Sequence, residues 1–480
     1  MLTKSKFMNG LQCSRLMWFA NKKQLPEITL SDKHKFAQGS DFEKYVKLTF
    51  PEGVDLAGMK FDENLEKTQE LIKNKKIIFE AGFQVEDYFV RSDVLEPNGD
   101  GWNLYEIKSS TSIKPQHIPD LAFQKFICEK AGLIIKDCFV IVLNKEFVKN
   151  GEIDPVKLIY TEEVTQQVNN YIDVEEKAKA FITIINSENV PPITISSNCN
   201  KPYSCPLKSE CWGTLPKHNV LELTNWRLYW KLFNDGVIEI KDIPNDVQLS
   251  DKDQIIYETV TTGLTYKSKE HIKHFLNALN YPLYHFDFET FDTAVPIFNK
   301  SKPWQKIPFQ FSLHIEQENG ETEHHEFLAE GNDDPRPKLL EKMKEVMGTT
   351  GDVVVFNQSF EIGRLKELAE DFPEYKEMIQ NVLDRIVDLL IPFKKFHYYN
   401  PEQKGSASIK KVLPAVTERS YSELEINNGA EASMLFFYSH IKPELENKNE
   451  IRENLLKYCG LDTEGMVWII KELLIGDIND

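Results

Sequence analysis

The segment YPLYHFDFETF, residues 281–291, restricts the possible folds more than any other stretch of the chain. It is an apolar, aromatic run of strand-like composition into which Asp287 and Glu289 are set two apart. Side chains alternate across a strand, so both carboxylates lie on one face. Two acidic groups in so apolar a strand cost stability unless they are paired or bound to a cation. A metal ion is the economical explanation. The alternative, a pair of ordinary surface acids, fits poorly with such apolar flanks.

Beyond this strand the sequence reads as a meander, KIPFQFSLHIEQ, Gly320 and TEHHEFLAE, then a helix from Pro337 to Met347 and a further strand, DVVVFN. LLKYCGLDTEGMVWIIKELL (455–474) predicts an amphipathic helix with Tyr458 and Asp462 at i and i+4, one above the other. Cys459 falls on another side of that helix and reads as packing.

Asp287-x-Glu289 with the Tyr458 and Asp462 pair resembles the DEDD exonucleases of the RNase H-like fold, in the subtype with tyrosine before the last aspartate. The resemblance implies that Asp287, Glu289 and Asp462 hold Mg²⁺ or Mn²⁺, that Tyr458 positions the attacking water, and that digestion runs 3′ to 5′. The family's middle motif has an aspartate a few residues after an asparagine. In VVVFNQSFEIGRLKEL (353–368) Asn357 is in place and Glu361 stands where the aspartate is expected. One extra methylene moves the carboxylate by roughly 1 Å, and metal-assisted chemistry is sensitive to such misplacement. Glu361 is the expected third ligand, with Asp388 in RIVDLLIPF as its substitute.

In the N-terminal third, IIFEAGFQVEDYFVRSDVLEPNGDGWNLYEIKSS (77–110) has two apolar-alternating runs flanking PNGDG, a β-hairpin signature. Glu106 and Lys108 share a face of the second strand, and Asp93 lies near the end of the first. Two carboxylates and an ammonium within reach of one point can hold Mg²⁺, polarise a phosphate and orient water. The same residues also occur as surface decoration. Glu80 is a further carboxylate nearby, more simply read as solvated. HIPDLAFQKFICEKAGL (117–133) predicts a helix with Asp120 and Gln124 one turn apart. The order Asp93, Glu106-x-Lys108, Gln124 resembles the PD-(D/E)XK nucleases of the RecB-like type.

Three cysteines, Cys199, Cys205 and Cys211, are evenly spaced in the polar loop NCNKPYSCPLKSECWG. In the iron-sulfur branch of the RecB-like nucleases, found in helicase-nuclease complexes and CRISPR adaptation, three cysteines follow the nuclease core and one lies near the N-terminus. That resemblance makes Cys13 the fourth ligand. Four thiolates suit a [4Fe-4S] cluster or structural zinc. Paired CxxC knuckles are absent, which favours iron-sulfur, with zinc as the alternative. Cys128 and Cys138 fall in apolar segments and read as core.

A chain of 480 residues exceeds one ordinary hydrophobic core. The expected organisation is α/β and multidomain: a PD-(D/E)XK restriction-endonuclease-like domain over 1–215, a small helical connector over 216–280, and an RNase H-like domain with a mixed sheet over 281–480. This arrangement resembles a bacterial fusion of the two nuclease types, grouped as a domain-of-unknown-function family. Seven cysteines without an export signal point to the cytoplasm, and no apolar run reaches the roughly 18 residues of a membrane span.

The formal net charge of −18 argues against a nucleic-acid partner only on average. In KKFHYYNPEQKGSASIKK (394–411) lysines alternate with His397, Tyr398 and Tyr399, a mixture able to hold phosphates and stack bases, or simply a solvated loop. The resemblance implies a metal-dependent nuclease acting on DNA. The alternatives are an RNA exonuclease, or a nucleic-acid-binding or assembly protein with a decayed exonuclease domain. No Walker motif is present, so any helicase partner is a separate chain.

Overall fold

In the computed structural model, which describes residues 1–478, the turn formers of PNGDG close a hairpin in which Asn98 faces Gly101. Gly99 takes a φ of 60°, the left-handed conformation that residues with a side chain avoid. The expected single strand before this turn is two strands. The chain reverses at Glu86–Asp87, with Glu86 itself at φ 53°, so Asp93 lies within a strand rather than near its end.

The N-terminal sheet has seven strands: β1 (Leu2–Thr3), β2 (Val54–Asp55), β3 (Ile78–Val85), β4 (Tyr88–Asn98), β5 (Gly101–Lys108), β6 (Ile135–Leu143) and β7 (Ile159–Glu163). Its order is β2-β3-β4-β5-β6-β7, with β1 joining β4 in parallel. β3, β4 and β5 are antiparallel neighbours, whereas β5 and β6 run parallel, joined through the helix His117–Lys130. That helix buries Leu121, Phe123, Ile127 and Cys128 in the core, with Cys138 on β6.

A second mixed sheet contains β9 (Leu283–Phe291), β10 (Ile307–Glu316), β11 (Thr322–Leu328), β12 (Asp352–Val355) and β13 (Ile386–Asp388), and a two-stranded ribbon pairs β8 (Tyr266–Lys267) with β14 (Tyr398–Tyr399). The order is β11-β10-β9-β12-β13, antiparallel as far as β9 and parallel beyond it. Alternation along β9 divides its two faces. Phe286 and Phe288 pack with Leu339, Leu340, Val353 and Leu365, while the face of Asp287 and Glu289 lies under the long C-terminal helix Lys448–Ile478. That helix is fastened by Gln310 Nε2 donating to the Leu455 carbonyl (2.9 Å) and by the Ser312–Thr463 hydroxyl pair (2.7 Å).

The chain divides into two compact units, Met1–Thr214 with Thr293–Gln305, and Leu215–Asp292 with Lys306–Asp480. Two details differ from the three-part division expected. Thr293–Gln305 folds with the first unit: Ala294 N–H donates to Gln38 Oε1 (2.7 Å), Trp304 Nε1 donates to the Ser109 carbonyl, and Ala294 and Val295 join a core with Phe42 and Phe79. The region 216–280 is part of the second unit, where Val220, Leu232 and Ile240 pack with Phe396 and Tyr399. Tyr398 and Tyr399 are therefore buried and cannot stack bases, and His397 stacks on His271 instead.

Candidate metal centres

The first centre begins with a gap in the sheet. β4 and β5 pair only as far as Val94 and Tyr105, so the Ile107 amide beyond them needs another acceptor. Asp93 Oδ2 supplies it at 2.7 Å, which turns its carboxylate toward Glu106. Glu106 is 1% exposed and Gln124 wholly buried, and Gln124 Nε2 donates to Glu106 Oε2 and, at 3.2 Å, to Asp120 Oδ1. Lys108 Nζ bridges Glu106 Oε1 (2.5 Å) and Asp120 Oδ2 (2.8 Å). Asp93, Glu106, Lys108 and Gln124, all expected from sequence, thus converge with Asp120.

Two further features emerge only in three dimensions. Lys4, at the start of the first helix, reaches into the carboxylate pair, its Nζ 3.0 and 3.2 Å from the Glu106 oxygens and 3.4 Å from Asp93 Oδ1. Glu80 on β3 takes a left-handed φ of 57°, and its carbonyl accepts from the buried Asn64 amide (2.9 Å). Burial and Glu43 raise the Glu80 pKa, with Lys4 opposing.

Two ammonium groups, Lys4 and Lys108, offset most of the charge of the three carboxylates Asp93, Glu106 and Asp120. Burial works against the Glu106 charge, but Lys108 and Lys4 outweigh it and hold the carboxyl well below the usual range. Burial and the adjacent Glu106 push Asp93 up to about 7. Burial disfavours the Lys4 ammonium, yet Asp93, Glu106 and Asp120 keep its pKa well above the ordinary lysine value.

The second centre has the opposite balance. One oxygen each of Asp287, Glu289 and Asp462 lies within 4.8 Å of the others, the only such group of three or more acidic, histidine or cysteine ligand atoms among the described residues. The i and i+4 placement on the C-terminal helix brings Tyr458 to the same face, buried beneath Lys410. Tyr421 donates to Asp462 Oδ1 at 2.6 Å. Lys410 lies 5.1 Å from the Tyr458 ring centre, its Nζ donating to the Asn427 carbonyl at 2.6 Å. Sequence reasoning missed both residues. Lys410 stood in a basic run that marked it only as one lysine among several, and Tyr421 carried no signal.

Cys459 is a correction. It is buried, as packing requires, but on the side of the carboxylates, its thiol 3.9 Å from Asp287 Oδ2. Burial and the surrounding carboxylates hold it protonated as a weak donor.

Glu361 and Asp388 are separated by their partners. Asp388 Oδ1 accepts from the Asn357 amide (2.9 Å) and the Leu390 amide (3.0 Å), fixing the left-handed Asn357 (φ 78°) at the head of the helix Gln358–Asp371. Its role is to hold the backbone. Glu361, in the first turn of that helix and 2% exposed, leaves Oε2 without a hydrogen-bond partner. It raises the pKa of Asp287 but lies outside the group within 4.8 Å.

Burial, then Asp462, pushes Glu289 up to about 8; burial, then Asp388, does the same to Glu361. Burial lifts Asp462 to about 6 against Tyr421 and Lys410, and burial with Asp462, Glu361 and Glu289 raises Asp287 further. Raised carboxyl values mean that the folded state binds more protons than the unfolded chain between pH ~4 and ~8. Stability of the metal-free protein therefore falls as pH rises through that window. Scanning calorimetry in EDTA should show a loss of about 3 kcal/mol for the second unit between pH 5 and pH 8. Added Mn²⁺ should cancel it by binding the deprotonated carboxylates. A flat profile would contradict the repulsion described here.

The four cysteines gather at a third place, within the first unit. Cys13 sits between two helices, Lys4–Gln12 and Ser14–Asn21. Gln12 Nε2 donates to the carbonyls of Asn198 (2.9 Å) and Tyr203 (2.8 Å), and Arg15 pairs with Glu210 (2.7 Å), drawing Cys13 to the loop. The Cys205 amide donates to the Cys199 carbonyl (2.9 Å), and Cys205 and Cys211 are buried with Leu16 and Leu207. Burial, then the other three thiols, raises the Cys205 pKa.

Residues 284–408 match the family described as "Domain of unknown function (DUF2779)". The match includes Asp287, Glu289 and Glu361 and ends before Tyr458 and Asp462. The chain is 28% identical over 222 residues to "Uncharacterized protein MG366" of Mycoplasma genitalium, covering 42% of this chain and 33% of that protein. It is 29% identical over 214 residues to the Mycoplasma pneumoniae homologue, covering 40% and 32%, and 26% identical over 220 residues to "Uncharacterized protein UU173" of Ureaplasma parvum, covering 40% and 31%. The aligned part spans about a third of the length of these relatives.

Proposed function

We propose that the protein is a metal-dependent nuclease that hydrolyses phosphodiester bonds of DNA, with its main centre at Asp287, Glu289 and Asp462. The observation that carries this reading is the convergence of these three carboxylates with raised pKa values and few counter-charges. Such a site is costly to the fold and is relieved by a cation. The donor set is all oxygen, which suits Mg²⁺ or Mn²⁺, and Glu361, outside that group with its Oε2 unpartnered, is the expected further ligand.

When bound, the metal supplies Lewis acidity and lowers the pKa of bound water. Asp287, Glu289 and Asp462 would hold it, and Tyr421 orients Asp462 by its hydrogen bond. Tyr458 is placed to align the attacking water, and Lys410 brings positive charge to a phosphate. At the first centre Asp93 and Glu106 are the metal-binding candidates, Lys108 meets charge developing on the phosphate, and Gln124 fixes Glu106. Cys13, Cys199, Cys205 and Cys211 would hold a [4Fe-4S] cluster as a structural staple, with zinc as the alternative.

Glu361 distinguishes a working second centre from the rival reading, a nucleic-acid-binding or assembly platform, which its distance from the other three carboxylates favours. Glu361→Asp is expected to lower digestion of an end-labelled strand by roughly tenfold, because the shorter side chain retreats from the metal. Increased digestion from a low base would mark a decayed centre. Labelled single-stranded DNA, duplex DNA and RNA, each with Mg²⁺ or Mn²⁺, form the substrate panel. Nucleic-acid binding without cleavage of any of them would establish the platform.

A further inference from the structure

The first centre carries a cation of its own. Lys4 Nζ touches both Glu106 oxygens and Asp93 Oδ1, the atoms that the nuclease reading assigns to a divalent ion. Metal bonds to such oxygens are about 2.1 Å long, so an ion held by both carboxylates would occupy the cleft now filled by the ammonium. The two cations exclude each other.

The contacts differ in strength. Lys108 is held at 2.5 and 2.8 Å by Glu106 and Asp120, whereas the Lys4 contacts run from 3.0 to 3.4 Å. Lys4 is the looser of the two cations. Its backbone is fixed, because Leu2 and Thr3 pair in parallel with Tyr88 and Phe89 and the Thr3 hydroxyl accepts from the Lys6 amide at 3.4 Å. Its side chain, a flexible four-carbon arm about a quarter exposed, can still swing.

We propose that Lys4 is a tethered counter-ion that occupies the Asp93–Glu106 pair until a phosphate group draws it away and a divalent ion takes its place. The inference rests on the metal reading of the first centre. An ammonium released from two carboxylates beside a polyanion finds a new partner in a phosphate oxygen. Metal and phosphate therefore bind cooperatively, each strengthening the other by the same factor.

Mn²⁺ binding to the full chain, followed by electron paramagnetic resonance, tests this. The parent carries Asp287→Asn and Asp462→Asn to silence the second centre, and the signal belonging to the first centre is the part lost on Asp93→Asn. A phosphorothioate single-stranded DNA oligonucleotide serves as the phosphate probe. In the parent, the oligonucleotide should tighten Mn²⁺ binding by about tenfold. Lys4→Gln and Lys4→Met, each checked for native circular dichroism, should bind Mn²⁺ about tenfold more tightly than the parent without oligonucleotide, and lose most of its effect. Lys4→Arg should behave as the parent. An Asp93-dependent signal that Lys4→Gln and Lys4→Met leave unchanged or weaken would overturn the inference alone. No Asp93-dependent Mn²⁺ in any variant would overturn it together with the metal reading of this centre.

Discussion

Asp287→Asn is expected to reduce shortening of a nucleic-acid end by on the order of 10³-fold and, at the same time, to raise the melting temperature of the metal-free protein. The two effects share one cause. Asp287 receives charge repulsion from Asp462, Glu361 and Glu289, and the Cys459 thiol at 3.9 Å offers it only a weak hydrogen bond. Asparagine keeps the volume and removes the repulsion, a gain of about 1 kcal/mol or 2–4 °C for a unit of this size. It also removes a ligand that metal-assisted hydrolysis cannot spare. A structural carboxylate would give the reverse signature, lower stability with activity retained, because neutralising one partner of a buried ion pair leaves the other uncompensated. Thermal denaturation in EDTA and a gel assay on the same preparations separate the two cases.

Cys13→Ser is expected to bleach the brown colour and the broad absorbance near ~400 nm of anaerobically purified protein. It should also destabilise the first unit by up to about 5 kcal/mol. A cluster held by Cys13, Cys199, Cys205 and Cys211 would close nearly all of that unit, which is why one thiol would carry so large an effect. Stoichiometric zinc without iron in the wild-type protein would defeat the cluster. Metal-free protein with a stability unchanged by Cys13→Ser would show four ordinary thiols.

The sequence alone determined features whose geometry is local. Asp287 and Glu289 share a face because strand side chains alternate, and Tyr458 with Asp462, like Asp120 with Gln124, stack because a helix returns after four residues. Turn residues marked the hairpin before Glu106, and the spacing of Cys199, Cys205 and Cys211 marked their loop. Tertiary structure decided what depends on pairing between distant segments. Lys4 lies 89 residues from Asp93 and 102 from Glu106, and it reaches them only because β1 adds to β4. Tyr421 is 41 residues from the carboxylate it orients. Cys459, read as turned away, is brought onto Asp287 by the seat of its helix across β9 and β10, and Tyr398 and Tyr399, read as a stacking surface, became core when β14 paired with β8. Periodicity fixes which side chains travel together on one element. What those side chains meet depends on how the elements pack, and no spacing within one segment encodes that.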